Sequence, residues 1–210
     1  MDSNKIIVIG AGLYSEEITD LIQTSFTGEI MAFIEGVNRE NCGVNENGVP
    51  VIWIDEMNDL NLSHKCICAI GSPKRKNLIE LVKLKGFGFT SLIHPSAQIF
   101  PSAFISMGSI IGAGTVISTK TKIGEHVIIN RGCLIGHHVC IENYVTLSPG
   151  VNIAGKVTIK ECAYIGMGAI ILDGISIGAN SVIGAGALVT KEVPDNVQVM
   201  GIPARITKIF

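Results

Sequence analysis

An aliphatic residue recurs at every sixth position of the chain between residues 93 and 189, without a break. Seventeen positions follow this spacing, and all are Ile except Leu147 and Val189. A period of six would scatter these side chains around a helix, and it does not match the alternation of an ordinary strand. It is typical of a parallel β-helix, in which each six-residue unit forms one short face and three units complete a triangular coil. We therefore predict that the repeating residues stack inward, coil upon coil, at the strand spacing of about 4.8 Å.

The chain before the repeats shows a different pattern, in which short apolar runs alternate with helical segments. An apolar strand is predicted at residues 5–9, followed by a glycine turn and a helix at 16–24. A strand, a glycine turn and a helix in this order begin a Rossmann-like unit. The predicted fold class is therefore α/β plus all-β. A small Rossmann-like parallel α/β domain occupies residues 1–90, and a parallel β-helix with a C-terminal tail occupies residues 91–210.

Further strands are predicted at residues 29–34 and 66–70, and a second helix at 74–85. The apolar residues of that helix are expected on its buried side. They are Leu78, Ile79, Leu81, Val82 and Leu84.

The glycine turn only partly matches a dinucleotide-binding fingerprint, because Ser15 stands where the third glycine would be. Glu35 follows the second strand at about the distance where an acidic residue would meet a ribose hydroxyl. The sheet is too small for full-length NAD, so NAD binding is disfavoured. Glycine loops at the carboxyl ends of parallel strands are nevertheless where such sheets bind ligands.

Composition excludes several function classes. The net charge is −2 and the basic residues form no run longer than residues 74–76, so nucleic acid is not an expected partner. No apolar segment reaches eighteen residues and the N-terminal apolar run is short, so we expect a cytoplasmic protein without a membrane span. The six cysteines lack the paired spacing of a zinc site, so no metal is implied.

Charged residues are scarce in the repeats, where only nine residues between positions 93 and 189 are Lys, Arg, Asp or Glu. A soluble β-helix that stood alone would carry charge on its flat outer faces. The scarcity suggests that some faces are covered by copies of the same chain.

The order of the two domains resembles that of the hexapeptide-repeat sugar acyltransferases of surface-glycan synthesis. Further marks of the resemblance are the sequence Ile-His-Pro-Ser-Ala at residues 93–97 and Gly-Ile-Pro-Ala-Arg at residues 201–205. The resemblance covers nearly the whole chain and implies a left-handed β-helix. It also implies acetyl-CoA as co-substrate, a nucleotide-sugar bound by the N-terminal domain, and a homotrimer with active sites between subunits.

The resemblance places the catalytic base at His137, whose imidazole can take a proton near neutral pH. The next position is usually acidic in the family and is His138 here, which can hydrogen-bond to His137 but supplies no negative charge. Gly155 matches the position whose backbone N–H is proposed to stabilise the oxyanion.

The same resemblance implies two sets of binding residues. Those expected to contact acetyl-CoA are Thr146, Met167, Ala185, Gly166 and Gly184, with Lys191, Arg205 and Lys208 near its phosphates. Those expected to hold the nucleotide-sugar are Gly10, Ala11, Gly12, Leu13, Tyr14, Glu35, Gly71 and Ser72. The family commonly has Gly-His where Leu13 and Tyr14 stand, so the nucleotide and the sugar stay open.

We therefore predict an acetyl-CoA-dependent N-acetyltransferase that acts on a nucleotide-linked amino sugar by direct transfer. One alternative is O-acetylation of sialic acid or a related sugar. The other is a catalytically silent scaffold, which only the replacement of the acidic neighbour by His138 supports.

Overall fold

The structure is a computed structural model that describes residues 4–25, 28–45 and 47–210. The chain divides into two compact units, Met1–Leu92 and Ile93–Phe210. Each unit has its own arrangement of secondary structure and is described by itself.

The N-terminal unit is an α/β sheet with two helices. Its strands are β1 (Asn4–Ile9), β2 (Gly28–Glu35), β3 (Gly43–Val44), β4 (Pro50–Trp53), β5 (Lys65–Cys68) and β6 (Gly88–Phe89). Its α-helices are α1 (Leu13–Ser25) and α2 (Lys76–Leu84), and 3-10 helices lie at Arg39–Asn41, Ile54–Asp59 and Pro73–Arg75. The sheet order is β3-β4-β2-β1-β5-β6, and all neighbouring strands are parallel except β3 and β4. The carboxyl ends of β1, β2 and β5 therefore lie at one edge of the sheet.

Helix α2 buries a narrower stripe than the sequence pattern predicts. Ile79 and Val82 are fully buried, whereas Leu81 and Leu84 are exposed. The prediction that all the apolar residues of this helix lie on its buried side is therefore wrong for Leu81 and Leu84. A short surface helix presents one stripe to the sheet, and these apolar positions spread further around its axis than one stripe can cover.

The C-terminal unit is the predicted β-helix, built from two-residue strands spaced six residues apart. They are β7 (Leu92–Ile93), β8 (Gln98–Ile99), β9 (Phe104–Ile105), β10 (Ile110–Ile111), β11 (Val116–Ile117), β12 (Lys122–Ile123), β13 (Ile128–Ile129), β14 (Leu134–Ile135), β15 (Cys140–Ile141), β16 (Thr146–Leu147), β17 (Asn152–Ile153), β18 (Thr158–Ile159), β19 (Tyr164–Ile165), β20 (Ile170–Ile171), β21 (Ser176–Ile177), β22 (Val182–Ile183) and β23 (Leu188–Val189). An antiparallel pair closes the unit, β24 (Val197–Met200) and β25 (Arg205–Ile209).

The short strands form three parallel sheets, which are the faces of a triangular prism. Face 1 contains β7, β10, β13, β16, β19 and β22; face 2 contains β8, β11, β14, β17, β20 and β23; face 3 contains β9, β12, β15, β18 and β21. Each residue pairs with the residue eighteen positions later, as Ile117 does with Ile135 and Ile135 with Ile153. We call the turn from face 1 to face 2 the first corner, the turn from face 2 to face 3 the second corner, and the turn from face 3 to face 1 the third corner.

The repeating aliphatic residues form the core, as predicted. All of them from Ile111 to Val189 are buried, and small or β-branched residues such as Val145 and Ala169 fill the space beside them. Ile93, Ile99 and Ile105 are less well covered, because they belong to the first coil and no earlier coil of the β-helix stacks on them. The coils wind left-handed, as the family resemblance implies.

We expect Ile159→Ala to destabilise the β-helix by about 2–5 kcal/mol, because it leaves a methyl-lined cavity between well-packed coils. Chemical unfolding followed by far-UV circular dichroism measures the change. The control is Ile206→Ala on β25, where the side chain is half exposed and truncation should cost far less. Equal losses in the two variants would contradict this account of the core.

Candidate active site

The second corner brings together residues that are eighteen positions apart in the chain. The face 2 strands β14, β17 and β20 run into this corner, and His137, Gly155 and Asp173 each lie two residues after their strand. Parallel pairing of Leu134 with Asn152 and of Asn152 with Ile170 fixes this alignment. The three residues therefore form one column across three successive coils.

The ring of His137 lies against the backbone of Gly155. A Cβ placed on Gly155 would be 2.6 Å from both Nε2 and Cε1 of His137 and 2.8 Å from Oδ1 of Asp173. Any side chain at position 155 would displace the ring. Glycine at this position therefore gives His137 room to lie across the next coil.

His137 is also held by its neighbour, because the Nδ1 atoms of His137 and His138 are 3.1 Å apart. The two rings meet edge to face. His138 has a left-handed backbone (φ 57°), and its N–H donates a 3.0 Å hydrogen bond to the carbonyl of Thr119. If His137 Nδ1–H is the donor to His138, Nε2 of His137 carries a free lone pair and can accept a proton.

The backbone N–H of Gly155 donates no hydrogen bond within residues 4–25, 28–45 and 47–210. The ring of His137 lies against the same residue, on the side where a Cβ would be. A base and a fixed amide donor are thus adjacent, which is the arrangement that acyl transfer requires.

The first corner carries Met167 and Ala185, both exposed and each two residues after a face 1 strand. The next residue along the turn is a glycine with a left-handed backbone in five of the six first-corner turns, at Gly114, Gly132, Gly150, Gly168 and Gly186, and the turn of the first coil has Ser96 there. A Cβ at any of these five would meet nothing within 4 Å. The other corners place Lys120, His138, Tyr144 or Asn180 in the same backbone conformation, so the turn alone does not demand glycine. The first corner is a bare edge along which a slender ligand can lie close to the backbone.

Two of the glycines expected to contact acetyl-CoA have a different role. A Cβ on Gly166 would be 2.6 Å from the backbone N of Ala185, and one on Gly184 would be 2.7 Å from Cγ of Met200. Both positions need glycine so that the next layer of the structure can pack against them. Their contact with coenzyme stays a prediction, and Gly168 and Gly186 are better placed on the open edge.

Thr146 lies apart from the first corner, on β16 in the middle of face 1. Its side chain is buried. The structure therefore does not bring Thr146 together with Met167 and Ala185 on one exposed surface.

The residues predicted to be catalytic and those predicted to contact coenzyme lie at different corners of the same prism. His137 and Gly155 are at the second corner, and Met167 and Ala185 are at the first. These two corners are the opposite margins of face 2. A single copy of the chain therefore does not place its own His137 beside its own bare edge.

The predicted nucleotide-sugar residues lie at the carboxyl edge of the N-terminal sheet. Gly10, after β1, has a left-handed backbone (φ 102°), and a Cβ there would be 2.8 Å from the side chain of Ile70. Gly10 therefore serves packing. Ala11 is half buried, whereas Gly12 and Leu13 are exposed and open to a ligand.

Ser15 explains why the turn works without a third glycine. Its side-chain hydroxyl and its N–H both donate hydrogen bonds to the carbonyl of Gly12, at 2.7 and 2.8 Å. The turn is thus closed by a side chain, and helix α1 begins at Leu13 with Tyr14 half buried beside it. Gly71 has open space around its Cα, and the Ser72 hydroxyl accepts a hydrogen bond from the N–H of Lys74.

Glu35 is occupied by its own loop. Oε1 accepts hydrogen bonds from the N–H groups of Gly36, Val37 and Asn38, at 2.7–3.2 Å, and Oε2 accepts one from Asn41 Nδ2 at 3.0 Å. Burial raises the pKa of the carboxyl group, but the four hydrogen bonds outweigh it and hold the pKa below its ordinary value. Glu35 therefore shapes the loop after β2, and its contact with a ribose hydroxyl stays a prediction.

The described residues contain no group of three or more His, Cys, Asp or Glu that could hold a metal ion. Within the same residues, no helix combines the length and apolarity needed to cross a membrane. Cys133, in the first corner, is buried in the core, and burial raises the pKa of its thiol to about 11. It is not a nucleophile for covalent acyl transfer.

Sequence reasoning missed Asp173 and the glycine edge. The signal for both is the eighteen-residue register: Asp173 lies two coils after His137, and the five glycines lie one coil apart. Aligning the repeats in sixes hides these columns, whereas aligning them in eighteens shows them.

Comparison with known proteins agrees with this architecture. Residues 156–191 match the family "Bacterial transferase hexapeptide (six repeats)", and residues 5–81 match the "PglD N-terminal domain". The structure of WeeI from Acinetobacter baumannii AYE is 30% identical, covers 96% of this chain and 98% of that one, and superposes with a TM-score of 0.88. The chain belongs to the hexapeptide-repeat transferases with a PglD N-terminal domain.

Two other members of this family have been solved with ligands. A mutant of perosamine N-acetyltransferase from Caulobacter crescentus, in complex with CoA and GDP-perosamine, is 28% identical over 97% of both chains, with a TM-score of 0.88. The acetyltransferase domain of PglB from Neisseria gonorrhoeae FA1090, in complex with acetyl coenzyme A, is 29% identical over 97% of this chain and 99% of that one, with a TM-score of 0.88.

The similarity to curated relatives is confined to a short segment. Galactoside O-acetyltransferase from Lactococcus lactis is 51% identical over 49 residues, which are 23% of this chain and 24% of that protein. The chain thus spans about a quarter of the length of the curated relatives it matches.

We expect Glu35→Gln to weaken the N-terminal unit by about 2 kcal/mol at pH 7, because the loop amides lose a charged acceptor. The lowered pKa means that the wild-type contribution is present above the ordinary value of 4.5 and is lost as the pH falls through the folded value. The variant should therefore lose less stability than the wild type between pH 7 and the acid end of the titration.

Urea unfolding followed by the fluorescence of Trp53, the single tryptophan, measures this unit. Glu16→Gln, at an exposed position on α1, is the control. An unchanged midpoint for Glu35→Gln at pH 7 would show that the carboxylate does not hold the loop.

Proposed function

We propose that the protein is an acetyl-CoA-dependent N-acetyltransferase that acts on a nucleotide-linked amino sugar in glycan biosynthesis. The observation that carries the proposal is the second corner, where the imidazole of His137 lies against Gly155, whose N–H donates no hydrogen bond within the described residues. Similarity over 97% of the chain to an enzyme complexed with CoA and GDP-perosamine supports the choice of substrates.

His138 prepares the base by accepting a hydrogen bond from Nδ1–H of His137. This contact, at 3.1 Å, fixes the tautomer in which Nε2 of His137 has a free lone pair. Nε2 takes a proton from the sugar amine as the amine nitrogen forms its bond to the thioester carbonyl carbon. His138 thus has an orienting role, which a neutral imidazole can perform without a negative charge.

Gly155 then stabilises the negative charge that develops on the carbonyl oxygen. Its N–H is fixed by the coil and has no competing acceptor among the described residues. When the carbon–sulfur bond breaks, the sulfur leaves with the electron pair and receives the proton that Nε2 of His137 had taken. His137 returns to its starting state, and no covalent acyl-enzyme is needed.

Acetyl-CoA supplies the activated thioester, and the bare edge of the first corner suits its slender arm. Met167 and Ala185 flank the edge, and Gly168 and Gly186 leave the backbone uncovered. Lys191, Arg205 and Lys208, all exposed, are the residues expected near its phosphates.

The nucleotide-sugar is assigned to the carboxyl edge of the N-terminal sheet. Gly12, Leu13, Gly71 and Ser72 are the accessible positions there. Helix α1 begins at this edge, and its N-terminal amides and dipole favour a phosphate group. We also assign a cytoplasmic location, which agrees with six free cysteines and a nucleotide-linked substrate.

We further propose a homotrimer whose copies meet through face 2. The outward residues of this face include Leu134 and Ile170, which are 48% and 43% exposed, with Val116 and Leu188 beside them. Face 3 shows polar Lys122, Thr158 and Ser176 along its length, with Cys140 in the middle and exposed Phe104 only in the first coil. A cyclic assembly around face 2 would bring the second corner of one copy to the first corner of the next. His137 of one copy would then lie beside the bare edge of its neighbour, where acetyl-CoA is expected.

We expect Ile170→Glu to break the trimer, because the assembly would bury an unpaired charge at its centre. Light scattering after size exclusion should give the mass of one copy, and transfer activity should fall with it. Thr158→Glu on face 3 is the matched control and should keep both. A trimer of unchanged mass in the Ile170→Glu variant would exclude face 2 as the interface.

The function is tested by thiol release from acetyl-CoA against UDP-, dTDP- and GDP-linked amino sugars and free and CMP-linked sialic acids. We expect turnover with one amino sugar, and His137→Ala should lower kcat by a factor of about 10² or more. His138→Ala should lose less than His137→Ala, because it removes an orienting contact alone. Turnover with a sialic acid alone would establish O-acetylation instead.

An unchanged rate in His137→Ala would exclude His137 as the base. Absence of turnover together with absence of coenzyme binding would favour the scaffold. Retained CoA binding in His137→Ala, measured by calorimetry, is the control for folding and assembly.

A further inference from the structure

The side chains of His137 and Asp173 both lie close to the position that a Cβ of residue 155 would occupy. They stand two coils apart in the second-corner column, and the residue between them has no side chain. Both Nε2 of His137 and Oδ1 of Asp173 lie within 2.8 Å of the point where a Cβ of residue 155 would be. The distance between Nε2 of His137 and Oδ1 of Asp173 is therefore less than twice 2.8 Å.

This separation is within the range at which a carboxylate stabilises a positive charge on a neighbouring group. Asp173 is also the single acidic residue in the four middle turns of the second corner, at residues 118–121, 136–139, 154–157 and 172–175. Those turns otherwise carry charge only at Lys120 and Lys156, besides the two histidines. The other acidic residue of this corner is Glu192, which lies three coils after His137, whereas Asp173 lies two coils after it.

Asp173 lies on the side of the His137 ring that the proposed reaction uses. His138 occupies Nδ1 of His137, at 3.1 Å, whereas Asp173 faces the Nε2 and Cε1 side. In the neutral ring, Nε2 has a lone pair and no proton to share. The attraction to Asp173 therefore becomes strong only when Nε2 takes the proton from the amine and the ring becomes an imidazolium.

We propose that Asp173 is the positioning residue that supplies negative charge to His137 during acetyl transfer, in place of an acidic neighbour at position 138. The inference deepens the proposed function and depends on His137 being the base. Asp173 takes no part in the proton transfer itself: the proton moves from the amine nitrogen to Nε2 and then to the departing sulfur.

Several charged groups oppose or share this effect. Lys120 and Lys156 lie at the same corner, Lys191 and Glu192 follow the next strand of face 2, and His138 contacts the ring directly. The lysines lower the net attraction for a proton at His137, which makes the contribution of the carboxylate more visible when it is removed. Because Asp173 is exposed to water in a single copy, we expect an effect of moderate size.

The test is Asp173→Asn, which keeps the shape of the side chain and removes its charge. We expect kcat/KM at neutral pH to fall about tenfold, and the acid limb of the pH–rate profile to move to lower pH by up to about one unit. Asp173→Glu should restore most of the rate. Glu161→Gln, at the third corner, is the matched control and should leave the acid limb in place.

A second readout does not depend on turnover. The Cε1–H resonance of His137, followed against pH in the assembled protein, should have its titration midpoint at lower pH in Asp173→Asn than in the wild type. Light scattering and thermal unfolding establish that the variant is folded and assembled as the wild type is.

The outcomes separate the inference from the proposed function. Full activity in His137→Ala would remove the proposed function and this inference with it. A large loss in His137→Ala, together with an unchanged acid limb and an unchanged histidine midpoint in Asp173→Asn, would overturn the role of Asp173 alone. A shift of both the acid limb and the histidine midpoint in Asp173→Asn would establish the role of Asp173.

Discussion

The structure depends on one constraint, which is that a closed coil of the β-helix takes eighteen residues. Inward stacking of aliphatic side chains such as Ile117, Ile135 and Ile153 enforces this length, since a coil one residue longer or shorter would turn its core side chains outward. The same register aligns every outward position with its equivalents on neighbouring coils. Residues far apart in sequence therefore become neighbours at a corner, and the chemistry of the molecule is arranged in columns.

The first and second corners of the prism carry different kinds of residue. The second corner has side chains that can accept a proton, whereas five turns of the first corner have glycine at the outermost position. Face 2 lies between them and carries exposed Leu134 and Ile170. In the proposed trimer, the apolar face that drives assembly is thus the surface that joins the two half-sites. Stability of the assembly and completeness of the site are consequences of the same burial.

The sequence was sufficient for the β-helix and for the corner position of His137, because hydrophobic periodicity is strong and the corner position follows from it. The role of His137 as the base comes from the family resemblance and stays a prediction. It was less informative where a role depends on neighbours that are distant in the chain. The sequence predicts that Glu35 is an acidic residue at a binding edge, but its carboxylate accepts hydrogen bonds from the backbone amides of its own loop. Gly166 reads as an open position beside a ligand, yet the backbone of Ala185 lies 2.6 Å from where its side chain would be. Asp173 carries no local signal, since its partner is thirty-six residues earlier.

The column of His137, Gly155 and Asp173 limits where the chain can gain or lose residues. A block of eighteen residues is a complete layer, so a layer can be added or removed before His137 without altering any contact among His137, Gly155 and Asp173. The same block placed between them would separate the carboxylate from the imidazole while leaving the core intact. The prism is therefore free to grow at its ends, and its middle is fixed by the spacing of three residues.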